Sequence, residues 1–190
     1  IKVYNKPLLP SQIDSIYQAE QPNDCASSNT WTGSVSNSWS EAGNWSLGNV
    51  PCGNPVLITD VVNDPVIDAT AEVGDLTMNA TAYLSWNAND TLKVDGDISI
   101  TSSSQIIQNS NAVFQVIGPS SINQQGGNMS TVRLEVLDSL TQSGFDIDLN
   151  SLHIKSGGAY DIANNREVDL SGDFINEGTF NGRGGSMSIA

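Results

Sequence analysis

The chain has 190 residues, enough for one ordinary domain, and its 7 Lys and Arg oppose 21 Asp and Glu, which gives a formal net charge of -14. Such acidity repels nucleic acid and anionic lipid, so neither is expected as a partner. No apolar stretch approaches the roughly 18 residues of a membrane span, and the abundance of Asn, Ser, Thr and Gly favours strands and turns over helices.

Residues 1–20 predict a strand and a short helix. Ile1-Lys2-Val3-Tyr4 alternates apolar and polar residues, and Pro10 suits the first turn of a helix that has Ile13 and Tyr17 on one face. One strand and one helical turn cannot form a core, so we expect a piece of a larger protein. This run resembles the closing strand and helix of laminin-G-like, concanavalin-type jelly rolls, which implies that residues 1–20 end such a domain.

Residues 21–54 predict a linker followed by a cap. Trp31, Trp39 and Trp45 lie close together among Ser, Asn and Gly, where unpacked indoles would be exposed apolar surface. They could stack on a carbohydrate, or they could cover the open end of the structure that follows. We favour the cap, because the end of a β-helix has unpaired backbone groups that need protection.

The two cysteines, Cys25 and Cys52, flank this tryptophan-rich segment. We predict a disulfide between them rather than two buried thiols, and it should contribute about 3 kcal/mol by restricting the unfolded chain. No cysteine and histidine spacing indicates zinc.

Residues 55–190 contain a degenerate repeat. Gly74-Asp75-Leu76-Thr77-Met78 recurs as Gly96-Asp97-Ile98-Ser99-Ile100, 22 positions later, and Gly118-Pro119-Ser120-Ser121-Ile122 follows after another 22. A shift of 76 positions also superimposes apolar residues, for example Ile98 on Phe174. Short alternating strands with a period near 20 residues are typical of a β-solenoid.

We therefore predict an all-β protein in which residues 55–190 form a right-handed parallel β-helix of about six or seven coils. An array of immunoglobulin-like sandwiches would need about 100 residues per repeat. In the β-helix, Leu76, Ile98 and Phe174 are expected to share one inward ladder. Met78, Ile100, Ile122 and Ile154 are expected to form a neighbouring ladder.

These repeats resemble those of giant secreted proteins of gliding and related Bacteroidetes. The run from Val168 to Phe180 and the runs beginning at Gly74 and Thr91 carry the resemblance. It implies export by the type IX secretion system, an extracellular or cell-surface location, and a role in adhesins, gliding motility or filaments, or as a spacer in multidomain enzymes. The expected partners are other domains of the same long chain and extracellular glycans.

Bacteroidetes also glycosylate the hydroxyl of Asp-(Ser/Thr)-aliphatic triplets, which makes Ser15, Thr91 and Ser139 candidate O-glycosylation sites. A calcium site is conceivable around Asp60, Asn63 and Asp64 or near Asp68, although no loop has EF-hand or nonapeptide spacing. No cofactor is otherwise expected.

The catalytic alternative is disfavoured by the sequence. The basic residues of the repeats do not share one register, and the pairs Asp95 with Asp97 and Asp146 with Asp148 resemble turn carboxylates that bond their own backbone. His153 should point outward between two inward residues. We therefore expect a non-catalytic structural stalk, filament or adhesin segment. The alternatives are a carbohydrate-binding module, with Trp39 and Trp86 on an outward face, and a spacer of a polysaccharide-degrading enzyme.

Overall fold

The structure is a computed structural model that describes residues 9–10, 25–87, 89–101, 103–108, 111–163 and 165–190. The described residues form twenty β-strands and one short 3-10 helix, Ala42–Asn44. Among them no helix has the length and apolarity needed to cross a membrane. The strand and helix predicted for residues 1–20, including Ser15, lie outside the described part apart from Leu9 and Pro10.

The longest sheet, sheet 1, contains eight parallel strands. In spatial order these are β1 (Asn29–Thr30), β2 (Val56–Ile58), β5 (Leu76–Met78), β8 (Ile98–Thr101), β11 (Ser120–Gln125), β13 (Ser139–Gln142), β16 (Ala159–Asp161) and β19 (Thr179–Asn181).

Three further sheets, also parallel, contain the remaining strands. Sheet 2 contains β3 (Val66–Ile67), β6 (Tyr83–Trp86) and β9 (Gln105–Ile107). Sheet 3 contains β4 (Ala71–Val73), β7 (Thr91–Val94), β10 (Val113–Val116), β12 (Arg133–Val136), β15 (Ser151–Ile154) and β18 (Phe174–Asn176). Sheet 4 contains β14 (Ile147–Leu149), β17 (Glu167–Leu170) and β20 (Ser186–Ile189).

The chain visits the sheets in a fixed order. Each coil passes through sheet 1, then sheet 2 or sheet 4, then sheet 3, so sheets 2 and 4 occupy the same side of a three-sided coil. From β2 onward the chain makes about six turns as a right-handed parallel β-helix, the hand expected for parallel crossovers. The predicted fold class is therefore confirmed.

The core is a continuous stack of inward side chains. Strand residues alternate between buried and more exposed positions because successive side chains of a strand point to opposite faces. Parallel pairing then places inward residues of successive coils on top of one another. In sheet 3 one such ladder consists of Ala71, Leu92, Phe114, Leu134, Leu152 and Phe174.

The predicted ladders are correct over one repeat and then change register. Leu76 pairs with Ile98 and Met78 with Ile100, as the repeat predicts. Ile122, in contrast, pairs with Ile98 rather than with Ile100, because this coil takes 24 residues instead of 22. An offset of two residues preserves the inward direction, so Ile122 is still buried.

The predicted placement of Phe174 beside Ile98, and of Ile154 beside Met78, is wrong. Ile98 and Met78 lie in sheet 1, whereas Phe174 and Ile154 lie in sheet 3. A shift of 76 residues from β8 to β18 covers three coils and two further sides of the triangle. All sides have the same alternation, so the shift superimposed residues of different sides.

Acidic residues at one corner connect successive coils. Asp75 Oδ1 accepts a hydrogen bond of 2.8 Å from the backbone N–H of Asp97, and Asp97 Oδ1 accepts one of 2.8 Å from that of Ser121. These carboxylates therefore bond the backbone of the next coil rather than their own. The glycine of the Gly-Asp repeat has a steric reason, since a Cβ on Gly96 would lie 2.3 Å from Asp75 Oδ1 and 2.9 Å from Asp75 N.

We expect Gly96→Ala to destabilise the fold by about 1–3 kcal/mol, because the methyl group overpacks this corner. Urea unfolding followed by circular dichroism measures the change. Gly182→Ala is the matched control, since the nearest atom to its added Cβ is 3.7 Å away. Equal stability of both variants would contradict the steric reason for the repeat.

Buried glutamines replace strand pairing where the second side of the coil is interrupted. Sheet 2 ends at β9 with a single bridge from Gln105 to Asn128, and sheet 4 begins only at β14. Gln142 is fully buried, and its Nε2 donates to the carbonyls of Phe145 and Glu167 at 2.8 and 3.1 Å. The side chain thus satisfies two backbone groups near this interruption.

Replacing Gln142 by leucine keeps the side-chain volume but removes the donor to both carbonyls. We expect Gln142→Leu to cost about 1–3 kcal/mol, the penalty of unsatisfied buried polar groups. The free energy of unfolding in urea is the measurement. Gln125→Leu, at an exposed position of β11, should change it much less.

Candidate functional site

The three predicted cap tryptophans form one buried cluster at the N-terminal end of the coils. Trp31, Trp39 and Trp45 are only 1%, 1% and 3% exposed. The ring of Trp45 packs edge-on against Trp31 and Trp39, with centroid distances of 5.0 and 4.6 Å. Such edge-to-face contacts add to the stabilisation from apolar burial.

Backbone pairing joins the cap to the first coil. β1 pairs with β2 at the edge of sheet 1, and Ser38 bridges to Val66 at the edge of sheet 2. Inside the cap, the buried Asn44 side chain accepts from the N–H groups of Val35 and Ser36, both at 2.9 Å. The cap therefore covers strand edges that would otherwise be open on these two sides.

Burial removes the aromatic surface considered for carbohydrate stacking. Trp86 is 2% exposed in β6 and packs against Phe114 at 6.2 Å between ring centroids, so its predicted outward position is wrong. Trp39 is equally inaccessible. Neither indole can present a face to a sugar ring in this structure.

The predicted disulfide between Cys25 and Cys52 is confirmed, with a Cα–Cα distance of 5.4 Å and a sequence separation of 27. Both residues are exposed, while Pro51 beside Cys52 is buried. The bond fixes the chain before β1 to the segment that leads into β2. Residues 26–51, which include the whole tryptophan cluster, are thereby closed into one loop.

Reduction of the disulfide should lower the free energy of unfolding by about 3 kcal/mol, since it releases loop-closure entropy in the unfolded chain. Urea unfolding with and without a phosphine reductant measures the loss. The double variant Cys25→Ser with Cys52→Ser should not respond to the reductant. An unchanged wild-type midpoint after verified reduction would contradict the expectation.

Asp68 holds the cap to the first coil through serine side chains. Its carboxylate accepts from Ser38 Oγ, from Ser40 N at 3.0 Å and from Ser40 Oγ at 3.0 Å. Partial burial alone would raise the pKa of Asp68, but the hydrogen bonds from Ser38 and Ser40 outweigh it and lower the pKa. The ionised form is thus the one that fits the folded state.

The lowered pKa of Asp68 gives a pH dependence of defined sign. Its stabilising contribution is present above the ordinary pKa and is lost as the pH falls through the lower folded value. We expect Asp68→Asn to lower the thermal midpoint at pH 7, with the difference from wild type shrinking below about pH 4. Ser40→Ala, which keeps the carboxylate but removes two donors, should show an intermediate effect.

The segment considered for calcium has a different arrangement. Asp60 accepts a hydrogen bond from Thr81 Oγ1, and Asn63 uses its backbone oxygen to accept from Trp31 Nε1 at 2.8 Å. Burial, and then the nearby charge of Asp60, raise the pKa of Asp64. Within the described ranges, no group of three or more His, Cys, Asp or Glu side chains is placed to hold a metal ion.

The candidate glycosylation residues differ in accessibility. Ser139 begins β13 with an exposed side chain, whereas Thr91 begins β7 and is half-buried. Ser15 lies outside the described residues. Of the two described positions, Ser139 is the more accessible to a modifying enzyme.

The outward face of sheet 3 contains charged residues that the sequence left unconnected. One outward ladder runs along the axis through Glu72, Lys93, Gln115, Glu135, His153 and Ile175. Arg133 is exposed on β12, and Lys155 Nζ lies 3.2 Å from Glu135 Oε1. Three basic residues, Lys93, Arg133 and Lys155, thus share one side of the rod, because coils of unequal length bring them there.

These charges form paired contacts. Burial would raise the pKa of Glu135, but hydrogen bonds from Gln115 and Lys155 and the charge of Lys155 prevail and lower it. His153 points outward as predicted, and its Nε2 lies 3.2 Å from Glu177 Oε2, where the two attract when the imidazole is protonated. An ionised, paired Glu135 suits ladder stabilisation better than proton donation.

The fold and its capped end define the class of protein: a right-handed parallel β-helix with a disulfide-closed tryptophan cap. Residues 30–141 match the family described as Domain of unknown function (DUF8693). The chain belongs to this family, whose matched region begins in β1 and ends in β13 and so includes most of the cap and the first coils. Comparison with curated proteins and with solved structures gave no match.

Proposed function

We propose that this chain is a non-catalytic extracellular segment, a stalk or adhesin element, of a large bacterial surface protein. The continuous interior carries the proposal. Inward ladders run through all coils, and backbone hydrogen bonds join each coil to the next along the rod axis. Such a structure resists bending and separates whatever is attached at its two ends.

Three further observations support an extracellular, non-catalytic role. A disulfide is typical of oxidising compartments. The net charge of -14 favours solubility over binding to anionic surfaces. The carboxylates of Asp75, Asp97 and Glu135 are hydrogen-bonded to neighbouring coils, so structural contacts already occupy them.

Removal of one complete coil tests the spacer role. Deletion of residues 76–97 places Ile98 where Leu76 was, with Asp75 free to take over the bond of Asp97 to Ser121. In the full protein in its native cell, we expect this deletion to shorten the rod by about 4.8 Å without loss of surface labelling by antibodies. Deletion of 76–86 breaks the winding and is the control.

A catalytic role would give a different result. We expect no new reducing ends when the folded protein is incubated with a panel of polysaccharides. Depolymerisation that disappears in Glu135→Gln or His153→Ala would contradict the proposal. Absence of antibody labelling on intact cells, with the protein found inside them, would contradict the extracellular location.

A further inference from the structure

The interruption between sheets 2 and 4 opens a polar groove on the outside of the rod. Between β9 and β14, residues 126–132 of the intervening coil form no strand. Two adjoining clefts of about 370 and 290 Å³ occupy this side and share Ser130. Together they extend along the axis from the coil of Gln108 to the coil of Ser188.

The larger cleft is lined by side chains that can donate hydrogen bonds. Its walls are formed by Gln108, Ser130, Thr131, Arg133 and Asn150. Amide, hydroxyl and guanidinium groups together suit a ligand that is rich in acceptor oxygens.

Gln108 is a built element of this cleft. It is 7% exposed, and its Oε1 accepts from the backbone N–H of Arg133 at 2.5 Å. That bond fixes the amide orientation, and Nε2 is left buried without a hydrogen-bond partner. A buried donor without a partner costs free energy, which an acceptor atom placed in the cleft would recover.

The smaller cleft is lined mainly by acceptors. Asp148 and Asp169 stand on adjacent rungs of sheet 4, and Ser188 Oγ donates to Asp169. Ser171 lies on the same wall. This half of the groove suits a ligand that donates hydrogen bonds through hydroxyl groups.

We propose that this groove binds a neutral oligosaccharide laid along the rod axis. Sugar hydroxyls both donate and accept, which matches a donor-rich cleft continuing into an acceptor-rich one. The spacing between rungs, about 4.8 Å, is close to the length of one pyranose residue. A polyanionic glycan is disfavoured by the carboxylates of Asp148 and Asp169 and by the net charge of -14. The proposal does not depend on the spacer role.

Binding of defined hexasaccharides tests this inference. Isothermal titration of the whole chain with cellohexaose, xylohexaose and mannohexaose should show binding of at least one of them. Asn150→Ala and Asp169→Asn should each weaken that binding by about tenfold, the loss of one hydrogen bond to a polar or charged group. Thr141→Ala, an exposed residue of β13 in sheet 1, should leave the dissociation constant within about twofold.

Circular dichroism and thermal midpoints confirm that each variant is folded, and Asp148→Asn replaces Asp169→Asn if the latter is not. The inference is overturned if none of the three neutral hexasaccharides binds at millimolar concentration. It is equally overturned if only hexagalacturonate binds, or if groove variants bind like wild type. Coil deletion 76–97 leaves the groove residues in place, so failure here is distinct from failure of the spacer role.

Discussion

The whole structure depends on parallel backbone pairing between successive coils. Because paired residues lie directly above one another, an inward side chain in one coil requires an inward side chain in the next. The ladder from Leu92 through Phe114 and Leu134 shows the result, since each residue is buried against its neighbours in adjacent coils. No layer can change its inward residues to polar ones without affecting the layers on both sides.

This constraint allows coils of different length, provided that the inward direction is kept. Sheet 1 takes 24 residues from Ile98 to Ile122, while sheet 3 takes only 18 from Leu134 to Leu152. Both differences are even, so apolar residues remain inside. Where pairing lapses altogether, between β9 and β14, Gln142 bonds backbone groups from inside, and the outer surface gains a polar groove.

The two kinds of surface follow from the same pairing. On sheet 3 unbroken pairing aligns outward charges such as Glu135 with their neighbours, and their hydrogen bonds leave Glu135 ionised and engaged. In the groove the lapse in pairing leaves Gln108 with an unused donor. Regular coils therefore provide length and rigidity, and the irregular coil provides the recognition chemistry that we infer.

The sequence by itself determined which residues point inward, the approximate period, the fold class and the bond between Cys25 and Cys52. Alternation of side chains and the Gly-Asp corners are local properties, and local properties are readable in a single sequence. Tertiary structure alone decided which side of the coil each strand occupies. Phe174 and Ile98 look equivalent in sequence but lie on different sides, because alternation encodes inside and outside and is identical on every side. The groove around Gln108 was hidden for the same reason, since it depends on which strands fail to meet in space.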